Sequence, residues 1–333
     1  MMPSLRVGLN PYGASYMVGL LQPASGRTAP APLGLWGFVE LARTTGARCI
    51  ELDGRWLTAL TEADVARLGE SLKQSGMTIV CSDWLVQRPG ETLEVAIRCA
   101  HALGASLLRL HLTPVLEGAR AALDTRWEQM LGHARATLKV EAHRAADVGL
   151  PLAIENHQDL TSEELIDIAG ESGGNVGLVF DTGNPFAVGE DPIAFARRAA
   201  TWIRHVHLKD YIAQFTSDGY RLVRCPIGDG CVPLKEIAEM LPPDLTASIE
   251  PGALEARHIR LFAPGWWRGY PPRPAIELAT ALGRLRQRKL AEDADWRTPW
   301  ERGVHGQPLV DYEMAQIRRS AENLKAIGII PSS

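Results

Sequence analysis

Four residues between positions 155 and 250 of this 333-residue chain stand where side chains can do chemistry together. Glu155 sits in Ala153-Ile154-Glu155-Asn156-His157, and Asp181 in Val179-Phe180-Asp181-Thr182-Gly183-Asn184. His207 lies in His205-Val206-His207-Leu208-Lys209-Asp210, and Glu250 in Ser248-Ile249-Glu250-Pro251-Gly252. Each ends a short apolar run, and each follows the last by one βα unit or slightly more. Three carboxylates converging on one cleft repel and raise one another's pKa. A divalent cation resolves that conflict. Three oxygen donors with one imidazole favour a hard or borderline ion such as Mn2+, Mg2+ or Co2+ over a thiolate-type zinc centre. Any one of the four alone reads most simply as a salt-bridge or capping residue; together they read as a metal site.

Elements that could hold them in register are legible nearby. Runs rich in Val, Ile and Leu predict strands at Val7–Asn10, Cys49–Asp53, Thr78–Ser82, Leu107–Leu112, Leu152–Glu155, Val176–Asp181, His205–Leu208 and Ala247–Glu250. Helical spacing fills the gaps, as in Trp127, Leu131, Ala134, Leu138 and Ala142, continued by Ala145 and Ala146. Thr61 and Thr161, each followed by acidic residues, signal helix starts. Eight strands alternating with helices pair in parallel and close most naturally into a (β/α)8 TIM barrel, with chemistry at the C-terminal strand ends. An open dinucleotide-binding sheet would want G-x-G-x-x-G after its first strand, where this chain reads Asn10-Pro11-Tyr12-Gly13-Ala14-Ser15.

The barrel is expected over residues 1–252 and a C-terminal extension over 253–333. The connection from Pro11 to Pro32 is too long for an idle loop. In the extension, Gly265 to Pro272 carries Trp266, Trp267 and Tyr270, and a second aromatic stretch runs from Trp296 to Trp300. Such a segment is a lid, a subunit contact or packing against the barrel wall. Met314, Ile317, Ala321 and Leu324 make Tyr312–Ile327 an amphipathic helix packed on something.

Apolar residues make up 46% and charged ones 22%, as in ordinary globular proteins rather than disordered or fibrous ones. A net charge of -4 without a basic stripe argues against a nucleic-acid partner. No apolar window is long enough to span a membrane. The opening MMPSLRVGLN lacks a secretory h-region, so a cytoplasmic location is the default expectation. Five scattered cysteines without CxxC pairs fit neither a disulfide framework nor a zinc knuckle.

The runs LAIENH, LVFDTGNP, HVHLKD and SIEPG resemble those of the xylose-isomerase-like TIM barrel superfamily, the sugar phosphate isomerase/epimerase group, over roughly Leu5 to Gly252. The resemblance implies a metal, commonly manganese, bound by Glu155, Asp181, His207 and Glu250, with Glu155 and Glu250 matching the acid/base pair. Two positions depart from the ketose 3-epimerases of this group. Asn184 stands where they have a histidine and Thr161 where they have a glutamate, which weighs against a simple free-ketose 3-epimerase. His157, two residues beyond Glu155 on the same side of an extended chain, resembles the base histidine of C-glycoside deglycosidases. Those barrels act on 3-oxo sugars and pair with a small β-sandwich subunit.

The expected activity is a divalent-metal-dependent sugar isomerase or epimerase that abstracts a proton α to a carbonyl through a metal-stabilised enolate. The alternative is a lyase eliminating an aglycone from a 3-oxo glycoside, working as a hetero-oligomer; an oligomer is expected in either case. A DNA-repair endonuclease of this fold would need more than nine histidines and a basic groove. Catalysis falls to Glu155, His157 and Glu250. Substrate contacts are expected from His111, Arg224, Asn184, Lys209 and Trp266, with Asp53 and Asp83 near the mouth. His205 reads as a satisfied core histidine and Gly228-Asp229-Gly230 as a turn.

Overall fold

The computed structural model describes residues 5–20, 26–85, 93–173, 175–252 and 254–331. Alternation within the apolar runs decides the architecture. Eight strands have two buried sets of side chains each, which only a closed sheet wrapped in helices can satisfy. The strands are β1 (Arg6–Leu9), β2 (Cys49–Asp53), β3 (Thr78–Trp84), β4 (Leu107–His111), β5 (Leu152–Glu155), β6 (Val176–Asp181) and β7 (Ile203–Leu208). After β7 comes an antiparallel hairpin, β8 (Tyr211–Thr216) and β9 (Gly219–Arg224), and then the eighth barrel strand, β10 (Thr246–Ile249). The barrel closes in the order β1-β10-β7-β6-β5-β4-β3-β2, parallel throughout.

One alternating set, including Leu108, Leu110, Ile154, Leu178 and Phe180, joins the main apolar core under the helices. The other starts at the barrel floor with a separate cluster of Val80, Leu107, Ala153 and Val179. Two residues further along three of those strands, the same parity delivers Arg109, Glu155 and Asp181 inward. Gly8 lets β1 approach β2, since a Cβ there would lie 1.7 Å from the Cys49 carbonyl oxygen.

The outer layer comprises α1 (Gly34–Thr44), α2 (Gly54–Leu57), α3 (Glu62–Gln74), α4 (Glu94–Leu103), α5 (Thr125–Asp147), α6 (Ser162–Ser172), α7 (Pro192–Ala199) and α8 (Leu234–Met240). Both predicted hydroxyl caps form. Thr61 accepts from Asp64 N–H, and Thr161 with Glu164 completes a capping box on α6, an interaction worth about 1 kcal/mol. The inward stripe of α5 holds from Trp127 to Ala145, whereas Ala146 is exposed. The predicted strands match to within two residues at each end, but the β8–β9 hairpin went unpredicted because it interrupts the seventh βα unit.

Past residue 252 the chain stays in the same body. Strand β11 (Arg257–Ile259) pairs antiparallel with β9. Helix α9 (Ala275–Gln287) follows, and then α10 (Gln307–Ala326), which begins five residues before the predicted start. Ile317 and Leu324 of α10 share the core with Leu5, Val7 and Leu9 of the first strand region, so α10 closes the outer layer. Glu313 of α10 accepts the backbone N–H groups of Tyr16 and Met17 at 3.1 and 2.7 Å, tying down the long first connection. Trp266 is stacked on Tyr270 at 4.7 Å, with the Arg120 guanidinium 3.7 Å over Tyr270. No helix among the described residues is long and apolar enough to cross a membrane, and the five cysteines are free.

Candidate metal centre at the barrel mouth

The C-terminal ends of β5, β6, β7 and β10 bring Glu155, Asp181, His207 and Glu250 together, all buried. Each offers one ligand atom, and these atoms lie within 4.8 Å of one another. His207 Nδ1 is 3.3 Å from Glu155 and 3.1 Å from Glu250. Lys209, one pleat beyond His207, places Nζ 2.7 Å from Asp181 and 2.5 Å from Glu250.

The electrostatics follow from burying this much charge. Burial pushes Asp181 up to about 6, with Glu250 and Glu155 adding to the rise against the pull of Lys209. Burial would lower His207, but Glu51, Glu155 and Glu250 overcome it and hold its pKa well above the usual range. Glu155 is held well below the carboxylate range because His111, Arg109 and His207 outweigh its desolvation. The cleft thus sets its carboxylates against the charges of His207, Arg109 and Lys209.

Glu155 Oε2, Asp181 Oδ2 and His207 Nδ1 are buried without a hydrogen bond of proper geometry, although cations stand close to them. Converging orphaned donors of one imidazole and several carboxylates are what a hard or borderline divalent ion takes. The residues fit such an ion.

His111 Nε2 lies 2.8 Å from Glu155 Oε2, and its ring packs 4.4 Å from that of His157. Burial and then His111 keep the His157 pKa well below the imidazole range, and its Nδ1 has no partner. Asn184 is committed: Nδ2 donates to the Asn156 carbonyl, and Oδ1 accepts from the Tyr211 hydroxyl at 3.2 Å. Arg224, at the end of β9, has a buried Nε without a partner. Asp53 caps α2 and accepts the Tyr12 hydroxyl at 2.7 Å, and Asp83 accepts the Trp84 N–H. His205 bonds Thr246 and Ser248, a satisfied core histidine. The Gly228-Asp229-Gly230 turn wraps Asp210, which accepts both glycine N–H groups.

Sequence reasoning missed the layer beneath. Glu51, fully buried on β2, accepts from Arg109 Nε and Nη2 at 3.0 and 2.9 Å. Its other oxygen lies 2.8 Å from His207 Nε2. Asn10 Nδ2 reaches both Glu51 and Glu250 at 3.1 and 2.9 Å. Inward parity of Glu51 within CIELD was the available signal.

Comparison with known proteins places this geometry. The profile described as "Xylose isomerase-like TIM barrel" matches residues 39–244. An uncharacterized protein of Escherichia coli K12, YihM, is 29% identical over 147 residues, 44% of this chain and 42% of YihM. An inosose dehydratase of Clostridium botulinum is 26% identical over 175 residues, 46% of this chain and 57% of that enzyme. The chain thus spans little more than half the length of these curated relatives at most. Among solved structures, the probable 3-DHS dehydratase AsbF of Bacillus anthracis superposes with TM-score 0.55 at 17% identity, covering 75% of this chain and 92% of AsbF. Identity that low establishes a common fold.

Proposed function

The chain belongs to the xylose isomerase-like TIM barrel family, and from that premise we propose that it is a divalent-metal-dependent enzyme that removes a proton α to the carbonyl of a sugar or similar polyol ketone. The observation that carries this reading is the convergence of Glu155, Asp181, His207 and Glu250 within 4.8 Å beside the unpartnered His157 imidazole. A bound divalent ion would supply Lewis-acid stabilisation of charge developing on the carbonyl oxygen, worth several kcal/mol; Mn2+ suits the donor set.

His157 is the base. Its depressed pKa keeps the ring neutral at physiological pH, and Nδ1 is free to accept a proton. His111, wedged between the Trp84 ring at 4.5 Å and the His157 ring at 4.4 Å, holds that imidazole in place.

Two outcomes can follow proton removal. Epimerisation needs both faces of the carbon served, by Glu155 and Glu250. Elimination of a β-substituent, as in a dehydratase or a lyase of the 3-oxo-glycoside type, needs one base. The contacts favour elimination. Glu155 faces the charges of Arg109 and His111, and Glu250 faces Asn10 and Lys209, so each glutamate is held by its neighbours rather than poised as a free base. Thr161 and Asn184, at the two positions departing from the ketose 3-epimerases, are tied up as a helix cap and a loop clamp.

The test is incubation of Mn2+-loaded protein with inososes, 3-oxo glycosides and ketoses in D2O, followed by NMR. Loss of the β-substituent is expected, with the α proton gone and deuterium entering at the former β carbon as the enol ketonises. His157→Ala should abolish it while Mn2+ binding persists. Full turnover by that variant, or failure of the wild-type chain to bind Mn2+, would refute the reading.

A further inference from the structure

Beside the mouth, the three-stranded sheet brings together two arginines that form no close ion pair among the described residues. In the antiparallel pairing of β9 with β11, Leu222 faces Arg257. Arg224 lies two residues beyond Leu222, so strand alternation puts both guanidinium groups on one side of the sheet. Tyr211, directly opposite Arg224 on β8, shares that side, and its hydroxyl reaches Asn184 at the end of β6. The side therefore faces the barrel mouth. The chain leaving Glu250 passes against the first of the pair: a Cβ on Gly252 would lie 2.2 Å from Arg224 Nη1.

Among the described residues neither guanidinium makes an ion pair, and the Nε of each is buried and unpartnered. The acids of the mouth are already matched. Glu51 and Glu155 face Arg109, and Asp181 and Glu250 face Lys209. The acids next in range act on the pair only from a distance, their oxygens taken up by other donors: Glu117 by the His258 N–H, Glu255 by the Trp300 indole, and Glu313 by Tyr16 and Met17. Burial, with Arg224 beside it, disfavours the charge on Arg257. Two like charges held half-buried cost free energy that an anion between them returns. Arginine's planar fork matches a carboxylate or phosphate in two-bond fashion. The pair also sits close to the chemistry, because Arg257 bears on the His157 imidazole and Arg224 on the Lys209 ammonium.

We propose that Arg224 and Arg257 together form an anion subsite at the mouth, so that the substrate carries a carboxylate or phosphate and is an acidic sugar derivative rather than a neutral one. The proposal rests on the preceding reading only for where the substrate lies.

Calorimetric titration of the Mn2+-loaded protein with glucuronate, glucose 6-phosphate and glucose tests it. At least one anionic sugar should bind about tenfold or more tightly than glucose. A stronger response to glucuronate identifies a carboxylate, and the reverse a phosphate. The preference should weaken on raising NaCl and vanish in Arg224→Met and Arg257→Met, with Mn2+ affinity unchanged. The wild-type comparison needs no variant, so a poorly folding mutant leaves the test intact. Equal binding of neutral and anionic sugars, no saturable binding of either anion, or a preference that survives in both folded variants would overturn the subsite. Any of these with Mn2+ binding and deuterium exchange intact overturns this proposal alone; loss of Mn2+ binding by the wild-type chain overturns the metal reading instead.

Discussion

Glu51→Gln separates the two tasks of the buried layer under the metal centre. One Glu51 oxygen takes the Arg109 fork at 3.0 and 2.9 Å, while the other faces His207 Nε2 at 2.8 Å and Asn10 at 3.1 Å. An amide has one accepting oxygen and cannot serve both sides. If that oxygen faces His207, the NH2 group opposes a fully buried guanidinium, and breaking such a pair costs roughly 3–5 kcal/mol of stability. If it faces Arg109, the His207 Nε2–H loses the acceptor that orients Nδ1 toward the ligand cluster. Removing such an orienting partner lowers metal affinity about 10- to 100-fold, or about 1.4–2.7 kcal/mol. The variant should therefore either lose stability, with the amide oxygen kept on His207, or bind Mn2+ at least about tenfold more weakly, with that oxygen turned to Arg109. Urea unfolding of the metal-free protein reads the first effect, and electron paramagnetic resonance of free Mn2+ during titration reads the second. Should a folded Glu51→Gln protein keep wild-type stability and bind Mn2+ within about twofold of wild type, the carboxylate neither anchors Arg109 nor orients His207.

Two further perturbations probe the scaffold. Asp159, buried with only Thr113 and a backbone N–H as donors, is pushed up to about 7 by desolvation. A raised carboxyl pKa means the folded state holds the proton more tightly. Its stabilising contribution is complete below about pH 4 and is lost as pH rises through about 7, on the order of 4 kcal/mol. Asp159→Asn should flatten that fall in urea midpoints between pH 5 and pH 8, and an unchanged slope would refute the assignment. Glu313→Ala leaves the buried Tyr16 and Met17 N–H groups without an acceptor, at about 1–3 kcal/mol each. Chemical denaturation should show that loss, with earlier proteolysis in the first connection. Unaltered stability would mean the α10 latch does not hold the loop.

Much of the architecture was legible because its signals are local. Apolar runs and capping residues depend on neighbours a few positions away, so all eight barrel strands and both threonine caps emerged from the linear pattern. The four convergent residues were legible for the same reason: being last on an apolar strand is a local property, and a closed parallel barrel turns equal position into equal height. The hairpin β8–β9 escaped because its Tyr, Gln and Arg alternation is that of a half-exposed sheet lying outside the barrel. The stacking of Trp266 on Tyr270 likewise escaped the linear pattern, being set by how the extension folds back.

The sequence by itself determined the strand order and the parity that sends Glu155, Asp181, His207 and Glu250 inward, and so which residue types meet at the mouth. Only the tertiary structure decided which groups answer each other across the barrel. Glu51 supports His207 from 156 positions away, Lys209 bridges Asp181 and Glu250, and Arg257 arrives beside Arg224 from the far side of the last barrel strand. Those pairings depend on the register with which the sheet closes and on the rotamers that closure permits. Ring closure sums every strand offset in the chain, and no local window contains that sum.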